Sequence, residues 1–312
     1  MCKNRIKAIN IVFLLTIIFA LIGQGFSLII LGHTGNYLII LLLSQVVLIL
    51  PSIIYMIRYK LNISEAIRFK KIKAANIILL IVFSYLITPL MSFINAISML
   101  FFENTTSSFM GEIIKQNGFF LSITIIAVVP AIFEEAVYRG IFYNEYRKVK
   151  PLQAIFLSAF LFGIIHGNLN QFVYAFLMGI VFALIIEATD SILSTMIIHF
   201  FINATSVMAL HLYNKGMNVK EYASGIEGSL EQVLTFTQIM ETLFLPAVVS
   251  TIIAVSVYII IAKNAGRWEW VKGIFAKGQK KHEGSLLNIS LVIAIVICLV
   301  IMIMNEIFVQ GL

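Results

Sequence analysis

The sequence predicts an all-α fold, a polytopic integral membrane protein of eight or nine transmembrane helices. Composition, the length of the apolar runs and the placement of the basic residues each point there. Of 312 residues, 60% are hydrophobic and 12% charged, with a mean hydropathy of +1.00. A soluble domain carries about 45–50% apolar and about 25% charged residues. Half the usual charge cannot cover a water-facing surface of this size, so lipid must solvate most of it.

A helix crosses the ~30 Å hydrocarbon core with about 20 apolar residues. Runs of this kind fall near 6–31, 37–57, 75–101, 119–143, 152–166, 170–187, 191–212, 237–262 and 286–309. They are continuous rather than alternating, which argues against spanning strands. They suggest nine segments, of which 152–166 and 170–187 are short and could be partly re-entrant, so eight or nine crossings are expected. The opening Met-Cys-Lys-Asn-Arg-Ile-Lys resembles the charged start of a signal peptide. The apolar run to Leu31 is too long for one and no small-x-small site follows, so a retained first helix is expected. Cys2 and Cys298 are too few for a disulfide framework.

Most of the 22 Lys and Arg residues lie in four segments. These are the N-terminus (Lys3, Arg5, Lys7), 58–74 (with Arg68 and Lys70), 144–151 (with Arg147) and 263–285 (with Arg267). With nine crossings all four fall on one side, expected to be the cytoplasm, with the N-terminus there too. The net charge of +7 then faces anionic lipid, and no nucleic-acid partner is expected. The polar stretches 102–118 and 213–236 read as outer loops, and the 263–285 stretch, with Trp268 and Trp270, as an interfacial connector.

A charge inside a membrane helix costs roughly 2.5–3.5 kcal/mol on insertion scales. Five ionisable residues lie well inside the runs: Glu134, Glu135, Arg139, His166 and His199. Glu187, Asp190 and His211 sit near run ends. Glu135 and Arg139, four apart on one helix, can pair, while Glu134 is rotated by about 100° and can face a cavity. One carboxylate is expected to be structural and the other chemical. Lys150-Pro151 marks a hairpin turn, and Glu134 and His166 stand at equal sequence distance from it, hence at one height in an antiparallel pair. Phe162 is expected to pack beside His166, and Gly163 and Gly167 to allow close helix approach. His199 and Asn203, also four apart, share a face.

Three neighbouring helices can thus turn their polar side chains to one cavity. A carboxylate there could activate water, with a histidine orienting it and a second histidine and an amide holding an oxyanion. Alternatively, Glu134 and the histidines could coordinate a divalent metal. Neither H-E-x-x-H nor G-x-S-x-G is present.

Taken in order, Glu134-Glu135-Ala-Val-Tyr-Arg139, Phe162-Gly-Ile-Ile-His166 and His199-Phe-Phe-Ile-Asn203 resemble the E-E-x-x-x-R, F-x-x-x-H and H-x-x-x-N motifs of the CPBP family. This is the CAAX prenyl protease type 2 and bacteriocin-processing family, also called Abi, of intramembrane peptidases. The resemblance covers about 119–208, a catalytic core within one transmembrane domain (1–312), flanked by 1–118 and 209–312. It implies Glu134 as the water-activating glutamate, Glu135 and Arg139 as its supporting pair, His166 as the second catalytic element, and His199 and Asn203 as the oxyanion-binding group. It implies a peptide or protein substrate at the membrane, cut near its C-terminus or at a leader. If a metal is used, the expected ligands are Glu134, His166 and His199, with zinc as the expected ion. A non-catalytic scaffold or immunity protein, or less readily a transporter, could use the same residues.

Overall fold

The computed structural model describes residues 2–35, 37–215, 234–276 and 285–311. Most of the 213–236 segment expected as an outer loop, and the later part of the 263–285 connector, lie outside the described residues.

The described chain is essentially all helical. Its elements are α1 (Cys2–Thr34), α2 (Tyr37–Arg58), α3 (Ala74–Ser98), α4 (Thr105–Asn117), α5 (Phe119–Tyr146), α6 (Pro151–Ile164), α7 (Leu169–Thr189), α8 (Ile192–Asn214), α9 (Phe236–Asn264), α10 (Trp268–Phe275) and α11 (Ile289–Gln310). Eight helices among the described residues are long and apolar enough to cross a bilayer. The protein is therefore a multi-pass membrane protein.

The 152–166 run is the exception. It forms α6, of 14 residues, and at 1.5 Å per residue reaches only about 21 Å. It packs along α7, and Gly179 of α7 lies so close to Ala159 of α6 that a Cβ there would stand 2.6 Å from the Ala159 Cα. The 102–118 stretch is also not a loop. Asn104 caps α4 by accepting from the Ser107 N–H. Ile113 and Ile114 are buried, and Phe109 meets Tyr37 edge-on at 5.2 Å. Its polar composition hides an apolar stripe that covers the bundle.

Two prolines, Pro51 and Pro89, lie within α2 and α3; inside a bundle, neighbouring groups can satisfy the carbonyls they leave free. Helix α5 winds as a π-helix at Thr124–Val128 and Ala136–Tyr143, on either side of an α-helical Val129–Glu135. Such wider turns recur at functional sites because they re-aim side chains and loosen the backbone hydrogen bonding. Its lower half, including Tyr138, Ile141, Phe142 and Tyr143, is almost fully buried against α1 and α6.

At one end of the bundle the four basic segments converge. Arg5 stands 3.8 Å from Glu145. The fully buried Glu187, near the end of α7, meets Arg68 at 2.8 Å, Arg147 at 2.7 Å and Arg267 at 3.6 Å. Trp270 donates its indole N–H to the same carboxylate. Asp190, in the left-handed position ending α7, binds Arg68 and Lys70. Burial raises the Asp190 carboxyl, but the hydrogen bond from Lys70 and the charge of Arg68 outweigh it and hold the group below its ordinary value. The network fastens the 58–74 segment, α5, α7 and the α9–α10 junction to one another.

Candidate active site

The site forms where α5, α8 and the α6–α7 turn meet α2. Glu135 is fully buried, and its Oε1 lies 3.1 Å from Nη1 of Arg139, the pair expected from their spacing. Arg139 is also almost wholly buried, with its guanidinium 4.1 Å from the Phe162 ring centre and 4.8 Å from that of Phe182. A buried ion pair is tolerable only when such extra contacts replace lost hydration.

The same Oε1 of Glu135 lies 2.9 Å from Nδ1 of His199. A carboxylate only accepts, so Nδ1 carries the proton and Nε2 is turned the other way. That Nε2 is 3.9 Å from Oε2 of Glu134. His199 also stacks on Phe182 with centroids 5.3 Å apart. The two adjacent glutamates therefore bracket one imidazole, and Glu134 is the more accessible, with 17% of its side chain exposed against none for Glu135.

The α6–α7 turn places His166. Helix α6 ends at Ile164, Gly167 takes a left-handed φ of +65°, and Asn168 caps α7 by accepting from the Gln171 N–H. His166 Nδ1 lies 2.7 Å from the Phe162 carbonyl, in the last turn of α6, where no intrahelical donor remains. A carbonyl accepts, so Nδ1 is again the protonated nitrogen and Nε2 is left free. Phe162 meets the ring edge-on at 5.2 Å, as expected. Gly163 does permit close approach, since a Cβ there would stand 3.0 Å from Phe172. Gly167 does not serve that purpose, and its role is the left-handed turn.

Asn203 shares the cavity wall with His199. Its Nδ2 donates to the Ile126 carbonyl at 3.0 Å. Pro130, four residues on, has no N–H to offer that carbonyl. One of the two amide hydrogens of Asn203 is thereby committed to α5, and the second remains.

Glu134 and His166 line two cavities that meet at them. One, of about 370 Å³, is walled by α1, α2, α11 and the α6–α7 turn and is mostly apolar. The other, of about 750 Å³, extends among α2, α3, α4, α7 and α8 and includes His199, Asn203, Asn95 and Gln171. Gln45 of α2 belongs to both and donates from Nε2 to Oε1 of Glu134 at 3.3 Å. An amide carries no charge, so the cost of burying charge does not point to Gln45. A polar residue inside the 37–57 run was the available signal.

Both imidazoles have Nδ1 engaged, Nε2 of His199 is turned toward Glu134 and Nε2 of His166 has no hydrogen bond among the described residues; two imidazoles and a carboxylate are donors that suit a zinc ion. Among the described residues, no three His, Cys, Asp or Glu groups are already gathered as a metal cluster.

Residues 116–205 match the family model for type II CAAX prenyl endopeptidases, Rce1-like. Over this stretch the chain is similar to that protease family. The matched segment contains Glu134, Glu135, Arg139, His166, His199 and Asn203, and ends short of α9–α11. Searches of curated proteins and of solved structures gave no match. The matched segment thus reaches the rest of the bundle through residues such as Gln45, outside the match, which touches Glu134 directly.

Proposed function

We propose that this protein is an intramembrane endopeptidase that hydrolyses a peptide bond near the C-terminus or leader of a membrane-associated protein or peptide. One observation carries the reading: Glu134 stands where two cavities join, with Nε2 of His199 3.9 Å from its Oε2. That separation leaves room for a water within about 2.6–3.2 Å of both atoms after a small adjustment.

In this reading Glu134 takes a proton from the water, and the hydroxide forms a bond to the scissile carbonyl carbon. His166, through Nε2, orients the water. The tetrahedral oxyanion is met by the second N–H of Asn203, and the His199 ring, its Nδ1–H held on Glu135, stands beside it. The C–N bond then breaks, and Glu134 passes the proton to the leaving nitrogen. Arg139 holds Glu135, and Glu135 holds the His199 ring. If a divalent metal is resident, Glu134, His166 and His199 are the residues to hold it, and zinc would supply a bound water of lowered pKa.

The deciding experiment offers purified wild type and Glu134→Gln a panel of prenylated, C-terminally extended peptides and leader peptides. Cleavage by wild type alone supports the reading, and cleavage that survives Glu134→Gln overturns it. Metal analysis of wild type and His166→Ala separates the two forms of the chemistry. Stoichiometric zinc lost in the variant assigns the metal form, and full activity of zinc-free protein assigns the other. A scaffold role predicts that biological function survives Glu134→Gln.

The excess of Lys and Arg assigns the Glu187 end of the bundle and the N-terminus to the cytoplasm. Thiol labelling of a cysteine introduced at Lys150 from the outer side would reverse that assignment.

A further inference from the structure

We infer that Gln45, on α2 and outside the family-matched segment, is a positioning residue for Glu134; the inference rests on the endopeptidase reading above. Gln45 is buried, and the partner found for its amide is Oε1 of Glu134, 3.3 Å from Nε2. The orientation of the amide follows from the chemistry, because a carboxylate can only accept. Its other atom, Oε1, is shielded and has no hydrogen-bond partner among the described residues.

A buried amide that served only as packing glue between helices would satisfy both ends, since an orphaned acceptor costs about 1–3 kcal/mol. Here half of the amide is left unsatisfied while the other half serves the carboxylate. The remaining oxygen of Glu134 is the one that faces His199.

The choice of a neutral donor fits the task. Glu135 is paired with the Arg139 guanidinium, and it orients rather than reacts. A base must accept a proton and release it within one turnover, and a cation at the same distance would oppose the uptake. An amide fixes the direction of the carboxylate without neutralising it. Gln45 also lines both cavities, so it stands at the neck where a peptide would pass Glu134.

The test compares wild type, Gln45→Met, Gln45→Ala, Glu134→Gln and the Gln45→Met/Glu134→Gln double variant for kcat, KM and thermal midpoint. Methionine has nearly the size of glutamine and removes the orphaned acceptor. The expected result is a kcat lower by about 10- to 100-fold, KM changed by less than about threefold, and a midpoint equal to or above wild type. If methionine does not fold, Gln45→Ala is read in the same way. Loss of activity together with a lowered midpoint in both variants would assign Gln45 to packing and overturn the inference. So would a wild-type kcat in the Gln45 variants of a protein whose cleavage Glu134→Gln abolishes, and that result leaves the endopeptidase reading intact. In the double variant the methionine is expected to have no further effect on residual turnover. A wild type that cleaves no peptide removes the reading itself, and the inference with it.

Discussion

Nδ1 of His199 lies 2.9 Å from Oε1 of Glu135, the same oxygen that meets Arg139 at 3.1 Å. One carboxylate oxygen therefore joins a buried cation to the ring that faces Glu134. The chain Arg139–Glu135–His199 crosses from α5 to α8 and ties two distant parts of the sequence into one geometry.

Removing the cation should therefore do more than remove a charge. Arg139→Met leaves Glu135 buried and uncompensated, and should cost about 3–5 kcal/mol of stability. Glu135→Gln/Arg139→Met removes both charges and should recover much of the thermal midpoint. Its kcat should stay down by roughly 10²-fold or more, because the His199 ring has lost its anionic partner. A double variant with wild-type turnover would show that the carboxylate is not needed.

Pro130 offers a subtler control. Pro130→Ala supplies an N–H to the Ile126 carbonyl, which Asn203 now serves. The helix gains a hydrogen bond, so the thermal midpoint should hold or rise. Asn203 loses an exclusive anchor, and kcat should fall by about tenfold, within the range for a loosened oxyanion donor. Unchanged turnover would show that the anchor does not set the position of Asn203.

Two glycines should respond differently to alanine. At Gly167 the added methyl meets nothing closer than 3.5 Å, so Gly167→Ala should cost only the backbone strain of the left-handed turn, about 1–2 kcal/mol. At Gly179 it would press on the Ala159 backbone at 2.6 Å, and separating α6 from α7 should cost more, about 2–3 kcal/mol. Thermal midpoints in one detergent give the order. A milder effect at Gly179 would contradict the close packing.

Acid should loosen the charged end of the bundle. The Asp190 carboxyl is held below its ordinary value of 3.8 by Lys70 and Arg68, against the opposing effect of burial. A depressed carboxyl contributes stability that is fully present above the ordinary value and is lost as pH falls through the folded one. Midpoints measured from neutral pH to about pH 3 should fall on the acid side, and Asp190→Asn should flatten that limb. Identical acid limbs in the two proteins would remove Asp190 as a contributor.

Much of this was open to reading in the sequence. The apolar runs specify the spanning helices because hydrocarbon admits few other structures. The i,i+4 spacing of Glu135 and Arg139 fixes their pairing, since neighbours on one helix surface need no tertiary information. Helix α4 was missed because its apolar stripe is short and set among polar residues. Of the nine apolar runs, eight form helices long enough to cross, and 152–166 forms the shorter α6, the first leg of a hairpin with α7.

The rest depended on contacts between helices far apart in sequence. That Glu135 holds His199, that Gln45 reaches Glu134, and that Glu187 gathers Arg68, Arg147 and Arg267 are matters of which helices adjoin and how each is rotated. Local composition thus determines that a segment is helical and membrane-bound, through the cost of leaving backbone groups unpaired in lipid. Only the packed bundle decides which polar side chains meet, because hydrogen bonds and ion pairs act over a few ångströms and depend on rotations that no single helix encodes.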